Sequence, residues 1–324
     1  MQRISRRLAT ALALSAMLAP LSHAQGFPSK PITLIVPYAA GGLTDQLARE
    51  VSVYMSNALK QSVVVDNRPG GGAQIAMNVL KQAPADGHTV FFGDVPSLAT
   101  NVGLFSKLSY DPRKDVQAVT QLIVAPALVV VPNGSPYKTF PELVQGAKSR
   151  PQGLTYASQG VGTGAHLFGT LLSKHIGASM THAAYRGSIP GLTDVMSGQV
   201  DFMYDAIPTS GSFVKGNKMR ALAIGADRRS SLFPEVPTLK ELGYEAIVPT
   251  FWWGVAVKAG TPADTVDKLN AVIVAAMHDA ALSKKFTDQG VVVKTSSPKE
   301  FSAYIDSEIT RWTKIMREAG MTTD

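Results

Sequence analysis

Residues 119–131 have the sequence VTQLIVAPALVVV, which is almost entirely apolar and rich in β-branched side chains. This composition favours extended structure, but the stretch is longer than an ordinary strand of about 5–6 residues. A second long, mostly apolar stretch, VPTFWWGVAV, occupies residues 248–257. We therefore expect each stretch to carry the chain from one part of the fold into another.

Short apolar strands alternate with amphipathic helices before the first of these stretches. Strands are predicted at 32–36, 62–65 and 89–92, with helices after Gly41-Gly42 and over 73–82. The first helix has Leu47, Val51 and Met55 at helical spacing, and Thr44 or Asp45 is placed to cap it. A βαβαβ order predicts a parallel sheet covered by helices on both faces.

The middle of the chain repeats the alternation. Strands are predicted at 154–157, 181–185, 200–204 and 220–224, and helices at 140–149, 164–176 and 190–197. Thr238 and Glu241 open a further short helix, by the same capping-box pattern as Thr139 and Glu142. The C-terminal part returns to long helices, one over 262–278 and one that begins after a Ser297–Glu300 capping box.

Two such α/β units can stand in tandem, or they can form two lobes between which the chain passes twice. The two long apolar stretches favour two lobes. Lobe one is then predicted to hold 25–124 and 250–324, and lobe two 125–249. The fold class is α/β, with a cleft between the lobes that closes by hinge motion about the crossings.

The N-terminus predicts an exported protein. Three arginines among the first seven residues precede the uncharged apolar run Leu8–Leu21, and Ser22-His23-Ala24 supplies small residues at a cleavage point. This is the layout of a signal peptide over 1–24. The apolar run is shorter than the roughly 20 residues that a transmembrane helix needs. Ala9 and Thr10 fit a twin-arginine motif poorly and favour the general secretory route. The mature chain is expected in the periplasm.

Composition excludes several classes of function. The 324-residue chain has no cysteine, which excludes disulfides, thiolate metal sites and cysteine nucleophiles. Residues 1–24 contain three arginines and no acidic residue, so their removal lowers the formal net charge from +7 to +4. The remaining basic residues are scattered, and we expect no nucleic-acid partner.

The first candidate binding loop is PYAAGGLTD, residues 37–45, between a strand end and a helix start. Ligands of open α/β sheets bind at that edge, and the free N–H groups of a helix start favour an anion. The candidate ligand-binding residues here are Tyr38, Ala39, Ala40, Gly41, Gly42, Thr44 and Asp45. A plain strand–helix turn is the alternative interpretation.

A matching loop, SQGVGTGAH, occupies residues 158–166 in the second unit. Its candidates are Ser158, Gly160, Gly162, Thr163 and His166. The glycine spacing is not that of a dinucleotide or Walker A loop. Two anion-favouring loops, one in each unit, predict a small anionic ligand held between them.

Two carboxylates and an aromatic cluster complete the candidates. Asp94 and Asp205 end strands of the first and second units. Phe251, Trp252 and Trp253 lie on the return crossing, where alternation turns one indole inward and one toward the cleft or hinge. The histidines lack metal-ligand spacing, and there is no nucleophile elbow. We expect no metal, no cofactor and no catalysis.

At these motifs the chain resembles the Bug-type extracytoplasmic solute receptors of tripartite tricarboxylate transporters. The resemblance covers nearly the whole mature chain; the matching segments include PYAAGGLTDQLAR (37–49), VVDNRPGGG (64–72), ADGHTVFFG (85–93), LTYASQGVGTGAHL (154–167) and THAAYRGSIPGLTDVMSGQVDFMYD (181–205). It implies a two-lobed periplasmic-binding-protein fold, type II-like, that binds a small organic carboxylate for uptake by membrane transporter subunits.

The resemblance also implies roles for particular residues. Backbone amides of Tyr38–Asp45 and Ser158–His166 would bind the ligand carboxylate, and Asp205 matches the family's acidic residue after the last cleft strand. Two positions depart from the family: Ala206 replaces the usual asparagine, and Asp94-Val95-Pro96 replaces small hydroxyl or glycine residues. Because Asp94 would repel a second carboxylate, we expect a ligand with one carboxylate and a neutral, aromatic or cationic distal part.

A monomeric transport receptor is therefore expected. Two alternatives come from other classes of protein. A sensor that presents the same solute to a membrane histidine kinase would have the same soluble chain, and gene neighbours would distinguish it. A secreted hydrolase would turn over esters or glycosides, whereas a receptor would show reversible binding with thermal stabilisation by its ligand.

Overall fold

The computed structural model describes residues 26–249, 251–318 and 320–321. The predicted signal peptide, residues 1–24, lies outside the described residues. In chain order the strands are β1 (Ile32–Val36), β2 (Val63–Asn67), β3 (Thr89–Asp94), β4 (Val116–Ala125), β5 (Ala127–Pro132), β6 (Leu154–Ser158), β7 (Met180–Ala184), β8 (Phe202–Ala206), β9 (Met219–Gly225), β10 (Phe251–Lys258) and β11 (Val292–Val293).

The helices alternate with these strands over most of the chain. In chain order they are α1 (Leu43–Leu59), α2 (Gln74–Gln82), α3 (Asn101–Leu104), α4 (Pro112–Asp115), α5 (Phe140–Ser149), α6 (Gly164–Ile176), α7 (Ser188–Met196), α8 (Ile207–Lys215), α9 (Ala263–His278), α10 (Ala280–Thr287) and α11 (Pro298–Glu318). A π-helical segment, Pro96–Thr100, precedes α3, and 3₁₀ turns lie at Gly71–Ala73 and Glu245–Ile247.

Two mixed sheets form the centres of the two lobes. The sheet of lobe one has the order β11-β4-β10-β3-β1-β2, and that of lobe two has the order β7-β6-β8-β5-β9. Strands β1, β2 and β3 are parallel, as are β6, β7 and β8. Strands β10 and β5 run antiparallel to their neighbours. The predicted α/β, two-lobed fold is confirmed.

The first long apolar stretch carries the chain between the sheets. Strand β4 ends at Ala125 in one sheet and β5 begins at Ala127 in the other, so Pro126 lies at the crossing. Proline has no N–H to donate to a ladder, which suits the end of one sheet and the start of another. The second long stretch returns the chain to lobe one as β10, all of whose strand partners are in that sheet.

The C-terminal helix packs on lobe one. Phe301, Ile305, Ile309 and Trp312 are buried along one side of α11 and share a cluster with Phe91 of β3. The Ser297–Glu300 capping box forms as predicted: Ser297 N–H donates to the Glu300 carboxylate at 2.9 Å and Glu300 N–H to Ser297 Oγ at 3.3 Å. The C-terminal helix therefore packs on the same sheet as the N-terminal strands.

Two local predictions were wrong. Thr238 and Glu241 exchange the hydrogen bonds of a capping box, at 2.6 and 2.9 Å, but residues 239–243 form turns and not the predicted helix. At the start of α1 the capping position is Gly42, with no side-chain cap. Asp45 instead accepts from Gly41 N–H at 3.0 Å, and the Thr44 hydroxyl accepts from the Trp253 indole.

Candidate functional site

A small cavity of about 50 Å³ lies between the lobes, at the carboxyl ends of β1, β3, β6, β7 and β8. That edge is where α/β sheets place their ligands. The lining residues come from both lobes: Tyr38, Gly42, Leu43, Thr44, Asp94, Val95, Pro96, Gln159, Thr163, Gly164, Gly187, Ser188, Asp205, Ala206, Thr209, Phe251, Trp252 and Trp253. Neither lysine nor arginine occurs among these described lining residues.

Several helices begin at the cavity wall. Helices α1 and α7 start there from opposite lobes, after Gly42 and Gly187, and neither has a side-chain cap. The first N–H groups of a helix have no acceptor within the helix. Helix α6 also begins at this wall, but there the Thr163 side chain accepts from His166 N–H and caps the helix. The uncapped starts leave backbone donors and positive helix ends directed at the cleft.

Asp94 forms the lobe-one side of the polar wall. Its carboxylate accepts from the Tyr38 hydroxyl at 2.5 Å and from Ser97 Oγ at 2.8 Å. Burial raises the pKa of Asp94 to about 6, although these hydrogen bonds favour the ionised form. Burial, followed by the nearby Asp94 charge, raises the pKa of Tyr38 well above its usual value, so this hydroxyl stays a donor.

Asp205 forms the lobe-two side and is fully buried. Its Oδ1 accepts from Gln159 Nε2 at 2.6 Å and from Ser188 Oγ at 2.7 Å. Burial raises the pKa of Asp205 to about 6, against the effect of these two donors. Gln159 follows β6 and Ser188 begins α7, so Asp205 joins the ends of three neighbouring strands of lobe two.

The aromatic cluster of β10 closes one side of the cavity. Alternation along the strand sends the two indole N–H groups to opposite sides, although both residues line the cavity. Trp252 Nε1 donates to Glu308 on α11 at 3.0 Å, whereas Trp253 Nε1 donates to Thr44 Oγ1 at 2.8 Å. Phe251 contacts the start of α6 so closely that a methyl group on Gly164 would lie 2.7 Å from its ring. The return strand therefore holds the starts of α1 and α6 in place.

Two histidines, His166 and His182, hold the second loop by hydrogen bonds. The rings of His166 and His182 stack at 4.1 Å between centroids. His166 Nδ1 accepts from Gly162 N–H at 3.1 Å, and Ser158 Oγ pairs with His182 Nε2 at 2.6 Å. Burial lowers the pKa of His166 to about 3 and that of His182 to about 4. Both imidazoles are therefore neutral at pH 7, as Gly162 N–H requires of its acceptor.

The first loop is held by a similar local network. Asp45 accepts from Gly41 N–H at 3.0 Å and from Arg49 Nε at 2.9 Å. Asn67 donates to Asp45 at 3.0 Å and to the Tyr38 carbonyl at 3.0 Å. Although burial opposes it, the hydrogen bonds from Arg49, Gly41 and Asn67 lower the pKa of Asp45. Asp45 thus orders the loop and the start of α1.

A larger chamber of about 470 Å³ lies next to the small cavity and shares Tyr38, Pro96, Gln159 and Thr163 with it. Its other walls include the glycine turn at 70–72 in lobe one and Tyr185 and Arg186 in lobe two. Gly160 of the second loop lines this chamber. We interpret the chamber as the outer part of the cleft.

The structure places some of the candidate residues in the lining of the small cavity and others outside that lining. Those at the small cavity are Tyr38, Gly42, Thr44, Asp94, Thr163 and Asp205. Those away from its lining are Ala39, Ala40, Gly41, Asp45, Ser158, Gly160, Gly162 and His166. Gly41, Asp45, Ser158, Gly162 and His166 shape the two loops through the contacts described above. For the whole second group, direct contact with a ligand stays a prediction.

Sequence reasoning missed Gln159, Gly187, Ser188 and Thr209 as lining residues. Gly187-Ser188 had a recognisable signal, because it too follows a strand and opens a helix. Gln159 lies inside the second candidate loop. Thr209 lies four residues beyond Asp205, and no local pattern distinguished it.

Within the described residues, no group of three or more histidine, aspartate and glutamate side chains is arranged to hold a metal ion. Among the same residues, no helix combines the length and the hydropathy needed to cross a bilayer.

Comparison with known proteins agrees with this geometry. Residues 47–321 match the model of the tripartite tricarboxylate transporter family receptor. The "UPF0065 protein in tcbD-tcbE intergenic region" of Pseudomonas sp. (strain P51) is 33% identical over 97% of this chain and 94% of its own. BugT of Bordetella pertussis is 31% identical over 99% of this chain and 98% of its own.

Solved structures extend the similarity to the fold. The periplasmic binding protein BugD has a TM-score of 0.87 at 26% identity, covering 92% of this chain and 100% of its own. MatC from Rhodopseudomonas palustris with bound malate has a TM-score of 0.85 at 31% identity, covering 89% of this chain and 99% of its own. Another R. palustris protein, with adipate, has a TM-score of 0.87 at 30% identity, covering 92% of this chain and 100% of its own.

The extent of the match, together with two lobes that enclose a cavity at uncapped helix starts, shows that this chain belongs to the tripartite tricarboxylate transporter receptor family of solute-binding proteins.

Proposed function

We propose that this protein is the periplasmic, monomeric receptor of a tripartite tricarboxylate-type uptake system. It captures a small organic carboxylate in the cavity between its lobes and presents it to membrane transporter subunits. The observation that carries the proposal is the pair of uncapped helix starts, α1 in lobe one and α7 in lobe two, at one enclosed cavity. Backbone donors from both lobes then bind the same anion, which couples binding to closure.

The small volume of the cavity and the ligands of similar solved structures support a small ligand. Backbone amides and helix ends stabilise a carboxylate without a paired lysine or arginine. The structural neighbours that contain malate and adipate are small carboxylate complexes of proteins about as similar to this chain as BugT. The signal-peptide pattern at 1–24 supports export, and the family supports a periplasmic site of action.

We propose lobe boundaries near 124/125 and 249/250, so that the lobes move about Pro126 and about the return segment before β10. Strand β4, before Pro126, and strand β5, after it, belong to different sheets, which supports the first boundary. Closure by a hinge is the common way for two lobes to enclose a ligand.

A thermal-shift screen tests the proposal. The mature protein, residues 25–324, is heated with mono-, di- and tricarboxylates of increasing length, and each stabilising compound is then titrated by calorimetry. A ligand at 100 times its Kd stabilises the fold by about 2.7 kcal/mol, so at least one small carboxylate should raise Tm by several degrees. If none does, while esters or glycosides are hydrolysed, the proposal is wrong.

A further inference from the structure

One carboxylate oxygen on the lobe-two wall of the small cavity has no hydrogen-bond partner among the described residues. It is Oδ2 of Asp205, a fully buried side chain that lines the cavity. The other oxygen, Oδ1, accepts from Gln159 Nε2 at 2.6 Å and from Ser188 Oγ at 2.7 Å. Because buried polar atoms in folded proteins nearly always have partners, Oδ2 needs a partner that comes from outside the described chain.

The anionic group of the proposed ligand cannot be that partner while Asp205 is ionised. Two carboxylates only accept hydrogen bonds, and so does the amide oxygen of Gln159, which has no partner among the described residues either. Of the unpartnered side-chain atoms in the described lining, only Thr209 Oγ1 is able to donate. A ligand carboxylate at this wall therefore meets an excess of acceptors.

Asp205 lies beside the place where the proposed function puts the ligand carboxylate. Ser188, which donates to Asp205, is the first residue of α7, and the uncapped start of that helix follows Gly187 in the cavity lining. An anion bound at these free N–H groups is a neighbour of the Asp205 carboxyl. Two negative groups at such short range favour a proton on one of them.

The charge of the lining acts in the same direction. Asp94 of lobe one belongs to the same lining, and no lysine or arginine occurs among the described lining residues. A ligand carboxylate would be the third negative group at a cavity of about 50 Å³. Burial raises the pKa of Asp94 and that of Asp205 to about 6, and a nearby anion raises such a pKa further.

Hydrogen bonds decide which of the two carboxylates takes the proton. Both oxygens of Asp94 have donors, Tyr38 at 2.5 Å and Ser97 Oγ at 2.8 Å, which stabilise its ionised form. Both donors of Asp205 are on Oδ1. This one-sided pattern suits a carboxylic acid, whose second oxygen carries a proton that it can donate.

The other ionisable groups around Asp205 bring no positive charge to the cavity. Burial lowers the pKa of His166 on α6 to about 3 and that of His182 on β7 to about 4. Arg186, before α7, is exposed and lines the larger chamber instead. Strand β5 and the first two turns of α8 have no ionisable side chain. Burial raises the pKa of the surrounding tyrosines, which stay neutral: Tyr38, Tyr156, Tyr185 and Tyr204.

We propose that this receptor takes up one proton together with its carboxylate ligand and holds that proton on Oδ2 of Asp205. The inference rests on the proposed function and adds a proton to what the site captures. The proton comes from the solvent, forms an O–H bond at Oδ2 and is donated in a hydrogen bond to an oxygen of the ligand carboxylate. Oδ1 keeps its two donors.

Calorimetry counts the proton. The mature protein is titrated at pH 7.5 with acetate, succinate, malate, glutarate and adipate, each in two buffers of different ionisation enthalpy. Each carboxylate that binds should take up at least about half a proton, because Asp205 is almost fully ionised before binding. A smaller uptake would overturn the inference and leave the proposed function intact. If no small carboxylate binds at all, the proposed function itself fails.

The pH dependence of affinity measures the same coupling. A site that binds one proton with its ligand loses up to about tenfold in affinity per pH unit above the pKa of the free group. The Kd should therefore rise about fivefold between pH 7 and pH 8, where carboxylate ligands stay ionised. A Kd that is constant over this range contradicts the inference.

Asp205→Asn separates the proton from the side chain. The asparagine amide presents N–H donors where the protonated carboxyl presents its O–H. D205N should therefore take up less than about 0.2 protons and, at pH 8, bind at least as tightly as wild type. A merely structural Asp205 would instead lose affinity at every pH. Uptake that persists in D205N would place the proton elsewhere and overturn the assignment.

Two further variants complete the test. Asp94→Asn should keep the proton uptake, and its loss in D94N with retention in D205N would assign the proton to Asp94 and contradict the inference. Asp227→Asn, at an exposed position of the same lobe, should match wild type in affinity and in proton count. The wild-type proton count needs no variant, so it decides the question even if D205N fails to fold.

Discussion

The backbone N–H of Ala39 donates a hydrogen bond of 3.0 Å to the carbonyl oxygen of Arg186, and this bond joins the first loop of lobe one to lobe two. A second bond between the lobes runs beside it, from Thr100 Oγ1 to the Gly162 carbonyl at 2.9 Å. Both lie at the candidate binding loops. They hold the cleft in the arrangement that encloses the cavity, and ligand binding and closure should therefore be coupled.

Thr100→Val should weaken ligand binding without unfolding the protein. The variant keeps the volume of the side chain and removes the hydrogen bond to Gly162, which is worth about 1 kcal/mol. Because the ligand binds the enclosed arrangement, this loss should appear as an affinity about fivefold lower by calorimetry. Thr193→Val, at an exposed threonine that bonds within its own helix, is the control. Equal affinities for wild type and T100V would show that the bond does not affect closure.

Trp253 should report ligand binding by its fluorescence. Its indole N–H donates to Thr44 at the cavity wall, whereas Trp252 and Trp312 both donate to Glu308 on the other side of the sheet. Ligand at the start of α1 changes the surroundings of the Trp253 indole. Because Trp252 also lines the cavity, the emission change on titration should become much smaller in Trp253→Phe and persist at full size in Trp312→Phe. A signal of wild-type size in W253F would place the ligand away from α1.

The fold could be read from the sequence because its signals are local. The Thr139 and Ser297 capping boxes, the Gly177 helix stop and the long stretch around Pro126 each depend on neighbouring residues. The helix that was predicted at Thr238 and did not form shows that a local signal is not always sufficient. Its capping box formed and Leu239 is buried, but Gly243 adopts a left-handed conformation after only five residues, and a cap contributes too little to sustain so short a helix.

The site was less predictable because it depends on contacts between distant segments. Thr44 was expected to cap α1, but Trp253, more than 200 residues away in sequence, uses its hydroxyl. His166 accepts from Gly162 N–H and stacks on His182, and neither contact was indicated by the sequence. Gln159 gained its role from Asp205 in another strand. No local pattern encodes such pairings.

Glu308 should be a strong determinant of stability. This buried carboxylate accepts from the indole N–H groups of Trp252 at 3.0 Å and Trp312 at 3.1 Å. Glu308→Leu leaves both donors buried without an acceptor and should lower the free energy of unfolding by about 2–4 kcal/mol in urea titrations. Glu308→Gln keeps an acceptor and should cost less. Glu318→Leu, exposed on the same helix, should change stability little; a similarly small effect in E308L would contradict this role.

The neutral histidine pair should make stability depend on pH. The folded-state pKa of His166 is about 3, below the usual 6.5, because burial and then the neighbouring His182 disfavour its charged form. Protons therefore bind the unfolded chain more readily, and the stabilisation present above pH 6.5 is lost progressively as pH falls toward 3. Between pH 7 and 5 the loss should be about 1 kcal/mol for this imidazole, with allowance for solvent screening.

His166→Asn isolates that contribution. Asparagine can place an oxygen where Nδ1 accepts from Gly162 N–H, so the loop keeps its bond while the titrating group is removed. Urea titrations at pH 7 and pH 5 should show a smaller acid-induced loss in H166N than in wild type, by about 1 kcal/mol. His175→Asn, at an exposed position of the same helix, should keep the wild-type difference. If H166N loses as much stability as wild type between the two pH values, His166 is not held neutral by the fold, and the Gly162 turn depends on some other contact.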